Sequence, residues 1–291
     1  MQNLINLIRI ILNKILPKNR VGNKIYCFVN FVIKHKGRIP SNRMLFNDYM
    51  YRLKISDDLF SKLRIYVTDK ENLKTYVKTK IGNKFNVPTL KVFRKFDDLL
   101  DFKIPDNCVI KPTHLSGEII IKKNNSKVDF KKIKKWLRTN YYNRARETQY
   151  KFLEPKIIVE PIIFNNYNIR DYKFFCFKGK TRLVQIDSNR FKNRSKSFYK
   201  IDTIKENLIW TKQNFYNYQA NDEEIEKPNN LSEMIRISEV LSKEFEFIRV
   251  DLYTNGIEVL VGELTSICGN ASLKFYPDHN SEEICSNIIF S

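Results

Sequence analysis

Residues 247–265 read FIRVDLYTNGIEVLVGELT, and the two apolar runs on either side of TNG predict a β-hairpin. Successive side chains of a strand point to opposite faces, so the first run divides into two sets. One face carries Ile248, Val250 and Leu252, and the other carries Arg249, Asp251 and Tyr253. The second run places Glu263 and Thr265 on one face of its own strand. Each arm of the hairpin therefore contributes a carboxylate.

The length of the connecting loop decides whether the two carboxylates meet. A two-residue turn pairs Asp251 with Leu260 and sends Glu263 to the opposite face. A three-residue loop, residues 254–256, pairs Asp251 with Val259, and Asp251 and Glu263 then share a face with Thr265. The glycine that ends this loop suits the left-handed backbone position that such a loop requires. We therefore expect the three-residue loop and a shared face.

Two carboxylates on one sheet face need a cation to offset their charge. Oxygen ligands close to nucleotide phosphates are typical of Mg²⁺ sites in proteins. Asp251 and Glu263 are therefore candidate magnesium ligands. A pair of solvated surface carboxylates would give the same sequence pattern, so the hairpin alone leaves both interpretations open.

A second pattern, VIKPTHLSGEIII at residues 109–121, consists of two apolar strands joined by a polar loop. The first strand delivers Lys111, and the loop contains the small pair Ser116-Gly117. A lysine supplies a point charge for phosphate, and backbone N–H groups beside a glycine can approach phosphate oxygens closely. The alternative is a surface hairpin with a solvated lysine, and the pattern alone permits either.

The remaining pattern is that of an α+β chain with mostly antiparallel sheets. RDYKFFCF and TRLVQID flank residues 178–180 as a further hairpin, and LSEMIRISEVLSKEF has helical periodicity. Gly179-Lys180-Thr181 imitates the end of a Walker A loop, but that motif needs glycine at position 174, which is Phe. No two of the eight glycines are two apart, which excludes a Rossmann fingerprint.

Composition narrows the class of protein. The 291 residues are 42% hydrophobic, enough for a sizeable core, and 52 Lys+Arg against 32 Asp+Glu give a net charge of +20. Such a charge favours anionic partners. The basic segments 131–138 and 190–200 either bind an acidic glycan or are solvated faces. A nucleic-acid-binding protein is one alternative, but the chain has no RRM, helix-turn-helix or zinc-finger pattern, and we expect no nucleic acid partner.

Five scattered cysteines and three histidines, with no CxxC and no HxxxH, argue against a structural zinc site. Cysteines inside apolar runs are typical of a reducing compartment, so we expect a cytoplasmic protein. The first 18 residues form an amphipathic helix too short to span a bilayer. This helix either packs on its own domain or a partner, or lies peripherally on the inner membrane face, with Arg9, Lys14, Lys18 and Arg20 near anionic headgroups.

The order of these pieces resembles the ATP-grasp enzymes, and within them the TupA-like group associated with teichuronopeptide and capsular polysaccharide synthesis. Residues 68–74 and Val87-Pro88 look like the helix and strand that open an ATP-grasp domain, and VIKPTHLSGEIII resembles its lysine strand and phosphate loop. IIVEPII is similar to its adenine-binding hinge. DYKFFCFKGK, and RVDLY followed by VGELTSICGNASLKFYP, are close to the group's signatures.

The resemblance implies two α+β subdomains that grip ATP between antiparallel sheets, after a helical preface. It implies phosphate contacts from Lys70 and Lys111, a mobile loop at Ser116 and Gly117, and magnesium on Asp251 and Glu263. Many ATP-grasp enzymes have Glu-x-Asn at the metal, whereas this chain has Glu263-Leu264-Thr265, so the third ligand is the Thr265 hydroxyl or a water. The residues implied for the adenine hinge are Glu160, Pro161, Ile162 and Ile163. The resemblance implies Lys173 near the transferred phosphoryl group. Arg190 and Arg249 either stabilise the growing negative charge beside it or form ordinary surface ion pairs.

The implied domains are an N-terminal helical region, 1–62, and an ATP-grasp domain, 63–291, divided into a lid subdomain (106–160) and a metal-binding subdomain (161–291). The implied activity is an ATP-dependent carboxylate–amine ligase that forms an amide through an acyl phosphate. The substrate would be an amino acid or a sugar uronate on a surface-polysaccharide precursor. A kinase of the same fold, phosphorylating a sugar or lipid-linked hydroxyl, is the other enzymatic interpretation.

Overall fold

The computed structural model of the protein describes residues 2–188, 195–204, 207–214, 224–276 and 280–291. In these ranges the chain forms ten α-helices. They are α1 (Gln2–Ile15), α2 (Arg20–Lys34), α3 (Phe46–Ile55), α4 (Lys62–Thr68), α5 (Lys70–Ile81), α6 (Phe96–Leu100), α7 (Phe130–Leu137), α8 (Tyr142–Ala145), α9 (Leu231–Ser242) and α10 (Asn280–Phe290).

The strands of the described ranges form two antiparallel sheets, as predicted. The smaller sheet has the order β1-β4-β2-β3, from β1 (Lys91–Phe93), β2 (Cys108–Pro112), β3 (Ile120–Lys122) and β4 (Ile157–Pro161). The larger sheet has the order β10-β9-β5-β6-β7-β8, from β5 (Asp171–Phe177), β6 (Lys180–Ser188), β7 (Ser195–Ile204), β8 (Asn207–Gln213), β9 (Phe247–Thr254) and β10 (Val259–Thr265). The fold is α+β, with helices at its N-terminal end.

The larger sheet is covered by helices on both faces, which explains why all seven residues of β5 are buried. One face packs against α5 and α9, whose apolar residues join Phe174 and Val250 in one core cluster. The other face packs against α3 and α10, where Phe46 contacts the rings of Phe175 and Phe247. On this second face the helices leave one end of the strands uncovered, and the polar residues Asp171 and Lys173 line a cavity there.

The predicted register of the β9–β10 hairpin is wrong, although the shared face is correct. The strands are joined by the four residues 255–258, and Val259 pairs with Thr254 rather than with Asp251. A β-bulge between Val261 and Glu263 then shifts the pairing by one residue. As a result Asp251 lies directly opposite Glu263 and Thr265 lies opposite Arg249. The bulge thereby puts Asp251, Glu263 and Thr265 on the same face, as the three-residue loop would have done in a different register.

The Gly-Lys-Thr sequence lies at the turn between β5 and β6. Phe177 and Lys180 pair across a turn in which Lys178 and Gly179 both have positive φ, so the Gly-Lys-Thr sequence is a hairpin turn, as predicted.

None of the helices in the described ranges is long and apolar enough to cross a membrane. β1 belongs to the smaller sheet although it precedes residue 106, and the proposed domain boundaries remain predictions.

Candidate functional site

A cavity of about 570 Å³ lies between the two sheets and collects most of the predicted site residues. β2, β4 and the loop after β2 line one side, and β5, β9 and β10 line the other. The predicted residues that line it are Lys70, Lys111, Ser116, Gly117, Glu160, Pro161, Ile162, Ile163, Lys173, Arg249, Asp251 and Glu263. Arg190 lies outside the described residues.

The N-terminus of α5 is fixed against the smaller sheet by Asp69. Its carboxylate accepts hydrogen bonds from the backbone N–H groups of Glu71 and Asn72, each at 3.0 Å, and so caps the helix. The same carboxylate accepts from Thr113 Oγ1 at 2.6 Å and pairs with Lys156 Nζ at 3.1 Å. This places Lys70, the first residue of α5, at the cavity wall.

The Lys70 ammonium is buried and donates to the Leu115 carbonyl oxygen at 2.7 Å. Its next neighbour is Glu263 Oε1, 3.9 Å away on the opposite side of the cavity. Burial lowers the pKa of Lys70, and the nearby Lys111 adds to this, against the opposing effect of Glu263. A group of this kind gains from an anion placed beside it.

Glu160 lies between two lysines on the cavity floor. Its buried carboxylate pairs with Lys111 Nζ and with Lys74 Nζ, each at 2.7 Å. Burial acts to raise the pKa of Glu160, but the two ammonium groups outweigh it and hold the pKa below its ordinary value. Sequence reasoning assigned Glu160 to a backbone hinge and overlooked Lys74. The helical spacing of Lys70 and Lys74, one turn apart on α5, was the available signal.

The loop after β2 has the backbone geometry that a phosphate loop needs. Gly117 has φ +77°, a conformation that other residues adopt only with strain, and no atom lies within 4 Å of the position of a Cβ. Ser116, Gly117 and Glu118 all line the cavity. A ligand can therefore approach this backbone closely.

Asp251 is the centre of a buried ion cluster on the side of the cavity that β5 and β9 form. Its carboxylate accepts from Arg249 Nε at 2.6 Å and Arg249 Nη2 at 2.7 Å, and from Lys173 Nζ at 2.9 Å. Lys173 also contacts Asp171, two residues earlier on the same face of β5. Burial acts to raise the pKa of Asp251, but Arg249 and Lys173 hold it below its ordinary value. The cluster is ionised at neutral pH and presents cations to the cavity.

The proposed metal ligands Glu263, Asp251 and Thr265 differ in their hydrogen-bond and ion-pair partners. Glu263, one quarter exposed, has Lys70 as its nearest basic group, whereas both Asp251 oxygens already accept from basic side chains. The Thr265 hydroxyl accepts from Arg249 Nη2 at 3.0 Å, so it helps to orient this arginine. The described residues contain no group of three or more His, Cys, Asp or Glu side chains suited to a metal. Glu263 fits Mg²⁺, which keeps waters and phosphate oxygens as its other ligands, whereas Asp251 would bind it only by exchanging a bond to Arg249 or Lys173.

Glu147 is a buried carboxyl that sequence reasoning overlooked. Burial raises its pKa from 4.5 to about 7, while Lys54 and a hydrogen bond from Gln149 Nε2 at 3.0 Å act against the shift. Between these two values the folded protein binds a proton that the unfolded chain releases, so the group lowers stability as the pH rises. Above pH 7 this cost reaches about 3 kcal/mol.

We therefore expect Glu147→Gln to be more stable than the wild type at pH 8 and equally stable near pH 4.5. Gln has no charge to bury, while its amide oxygen still accepts from Gln149. Urea unfolding at a series of pH values measures the difference between the two proteins. Glu154→Gln, at an exposed position, is the control and should show no pH-dependent difference. Parallel stability curves for Glu147→Gln and the wild type would contradict the shifted pKa.

Comparison with known protein families adds an independent result. The sequence profile described as TupA-like ATPgrasp matches residues 53–289. The chain belongs to the TupA-like ATP-grasp family. The resemblance and the ATP-grasp fold predicted from the sequence are thus confirmed, and the cavity between the two sheets lies within the matched region. Comparison with curated proteins gives no match.

Solved structures similar to this TupA-like protein include D-alanine–D-alanine ligases and the ATP-grasp ligase PsnB. The ligase from Bacillus anthracis is 18% identical, with a TM-score of 0.36, over 70% of this chain and 57% of that one. The ligase from Helicobacter pylori is 16% identical, with a TM-score of 0.38, over 76% and 61%. PsnB with a phosphomimetic precursor variant, Mg and ADP is 10% identical, with a TM-score of 0.37, over 83% and 65%. The match thus spans less than two thirds of each of these proteins.

Proposed function

We propose that this TupA-like protein is an ATP-dependent carboxylate–amine ligase that acts through an acyl phosphate. The observation that carries the proposal is the buried Lys173–Asp251–Arg249 cluster on one side of a cavity that has Lys70 and Lys111 on the other. The lysines suit the phosphates of ATP, and the cluster suits the negative charge that develops during phosphoryl transfer.

The chemistry needs no nucleophile from the protein. An oxygen of the acceptor carboxylate attacks the γ-phosphorus of ATP, the bond to the bridging oxygen breaks, and ADP leaves with that electron pair. The amine nitrogen then attacks the acyl carbon, the carbon–oxygen bond to phosphate breaks, and the nitrogen loses a proton. Cys268 also lines the cavity, but burial raises the pKa of its thiol to about 11, so it is protonated and weakly nucleophilic.

The proposed roles of the site residues are those that the family resemblance implies, and the positions of those that line the cavity support them. Lys70 and Lys111 bind phosphate oxygens, and Ser116 and Gly117 close over them. The segment from Glu160 to Ile163 contacts adenine. Asp251 and Glu263, with Thr265 or water as a further ligand, would hold Mg²⁺, which would neutralise phosphate charge there. Lys173 and Arg249, with Arg190 by sequence, orient the acceptor carboxylate and stabilise the acyl phosphate.

The substrate class rests on the family and on charge. A TupA-like ATP-grasp protein with a net charge of +20 suits an anionic acceptor, and we propose a sugar uronate or amino acid on a surface-polysaccharide precursor. All five cysteines are buried and free of disulfides, which supports a cytoplasmic location.

Lys111→Ala is expected to weaken ATP binding at least about tenfold, or roughly 1.4 kcal/mol, because a triphosphate in the cavity loses a compensating charge. Isothermal titration calorimetry with ATP and Mg²⁺ measures the effect. Lys122→Ala is the matched control, since this lysine lies on the neighbouring strand β3 and pairs with Asp106 outside the cavity. Unchanged ATP affinity in a folded Lys111→Ala protein would contradict the phosphate assignment.

The reaction class is tested by product analysis with a panel of uronates and amino acids. A ligase releases ADP and phosphate in equal amounts only when carboxylate and amine are both supplied, and hydroxylamine traps its intermediate as a hydroxamate. A stable phosphorylated sugar or lipid, with no free phosphate and no hydroxamate, would instead establish a kinase. That result would overturn the ligase proposal and leave the family membership standing.

A further inference from the structure

The outward faces of the first two helices carry large apolar side chains that the described part of the chain leaves exposed. They are Ile8, Ile11 and Ile15 on one side of α1, and Val21, Ile25 and Phe28 on one side of α2. Ile15 is 73% exposed and Val21 is 63% exposed. The other face of α2 is buried through Tyr26, Cys27 and Phe31. This helix therefore has a second apolar face that folding does not use.

The same segment has an extreme charge. Residues 1–47 contain nine Lys and Arg residues and no Asp or Glu, so this part of the chain supplies +9 of the net +20. Lys24 lies on the outward face of α2 between Val21 and Phe28, at helical spacing. Lys14 and Lys18 are also exposed, and in the described part of the chain no acidic group pairs with these three lysines.

α1 is nevertheless fixed to the body of the protein at its C-terminal end. The fully buried Arg146 donates to Asn13 Oδ1 at 2.6 Å, to the Leu16 carbonyl at 2.9 Å and to the Pro17 carbonyl at 2.9 Å. It thereby satisfies carbonyl groups that a helix end leaves without partners. The sequence predicted that the helix either packs on the protein or contacts a membrane. Here it packs at one end while its outward side chains stay exposed.

We propose that the outward faces of α1 and α2 form a docking surface for an anionic lipid membrane. The isoleucines, Val21 and Phe28 enter the boundary between headgroups and acyl chains, and Lys14, Lys18 and Lys24 contact the anionic headgroups. Because Arg146 fixes α1, the surface is held in one orientation relative to the ATP cavity. Such docking would keep the enzyme beside substrates made at a membrane.

Charge and polarity select this occupant over the others. A second copy bound face to face would oppose Lys14, Lys18 and Lys24 with the same three lysines, with no acid in residues 1–47 of either copy to compensate. A soluble polyanion would pair with the lysines but would leave Ile15 and Val21 in water. An anionic membrane satisfies both the charge and the apolar area.

The test is sedimentation of the purified full-length protein with vesicles of phosphatidylglycerol and phosphatidylcholine, and with phosphatidylcholine alone. We expect binding to the mixed vesicles only, weakened by high salt. Ile15→Glu with Val21→Glu should weaken it at least about tenfold, and so should the change of Lys14, Lys18 and Lys24 to Gln.

Two matched control variants distinguish vesicle binding by this surface from nonspecific binding through any exposed apolar or basic side chain. Ile257→Glu alters an isoleucine that is 87% exposed on the β9–β10 loop, and changing Lys131, Lys134 and Lys135 to Gln removes three exposed charges from α7. Both controls should bind vesicles like the wild type, and circular dichroism verifies that all variants fold. The proposal would be overturned if the wild-type protein did not bind anionic vesicles. It would also be overturned if the α1 and α2 variants bound them as tightly as the wild type. Light scattering that shows a dimer lost in Ile15→Glu without vesicle binding would overturn it as well.

Discussion

Glu263→Gln is expected to lower turnover at least about 100-fold while leaving the free energy of unfolding almost unchanged. Gln fills the same space but lacks the negative charge that a magnesium ligand supplies. The cost to folding is small because Glu263 is one quarter exposed and its nearest basic group, Lys70 Nζ, is 3.9 Å away. ADP release under saturating ATP and acceptor measures the first effect, and urea unfolding measures the second.

Glu258→Gln is the matched control for this experiment. Glu258 is an exposed acid on the same hairpin, but it lies in the loop, away from the cavity between the sheets. We expect it to keep wild-type turnover. If Glu263→Gln behaved in the same way, Glu263 would have to be removed from the proposed metal site. A Glu263→Gln protein with lost turnover but also much lower stability would indicate a structural role instead.

The faces of the strands were predictable because strand periodicity is a local property. The alternation of FIRVDLY alone assigns Arg249 and Asp251 to the same face, and both line the cavity. The same reasoning puts Asp171 beside Lys173 on β5, and the two side chains are in contact. Nothing from outside either strand was needed.

The prediction of the hairpin register was wrong because the register depends on a contact between the two strands. At Gly262 a Cβ would lie 2.6 Å from the ring of Tyr253, so a larger residue would have to displace this ring. A glycine within a strand is a known signal for a bulge, and the sequence contained it. Loop length alone does not distinguish a three-residue loop from a four-residue loop that is followed by a bulge.

Hydrogen bonds and ion pairs between residues that are distant along the chain could not be predicted from local sequence patterns. Arg146 belongs to no periodic pattern in the sequence, yet its guanidinium donates to a backbone carbonyl at the C-terminal end of α1. Lys74 reaches Glu160 only because Asp69 fixes α5 against the smaller sheet. Arg249 pairs with Asp251 along its own strand, whereas its bond to Thr265 depends on the bulge. These contacts are products of tertiary packing, which local patterns do not encode.

Asp251→Asn should behave differently from Glu263→Gln, because it is expected to destabilise the protein by about 3 kcal/mol or more as well as to reduce turnover. Asp251 is buried and is the shared counter-charge of Arg249 and Lys173. Its neutral replacement leaves these two cations buried. Asp171 and, at 3.8 Å, Asp187 remain as acidic partners of Lys173. Arg249, by contrast, keeps only the Thr265 hydroxyl and the Cys268 sulfur among its described side-chain hydrogen-bond partners. Urea unfolding measures the loss. Asp202→Asn on β7 of the same sheet, which breaks a partly exposed pair with Lys200, should cost at most about 1 kcal/mol. An equal cost at both positions would mean that the cavity cluster is no more strongly coupled than a surface ion pair, and its proposed role in holding an acyl phosphate would lose its physical basis.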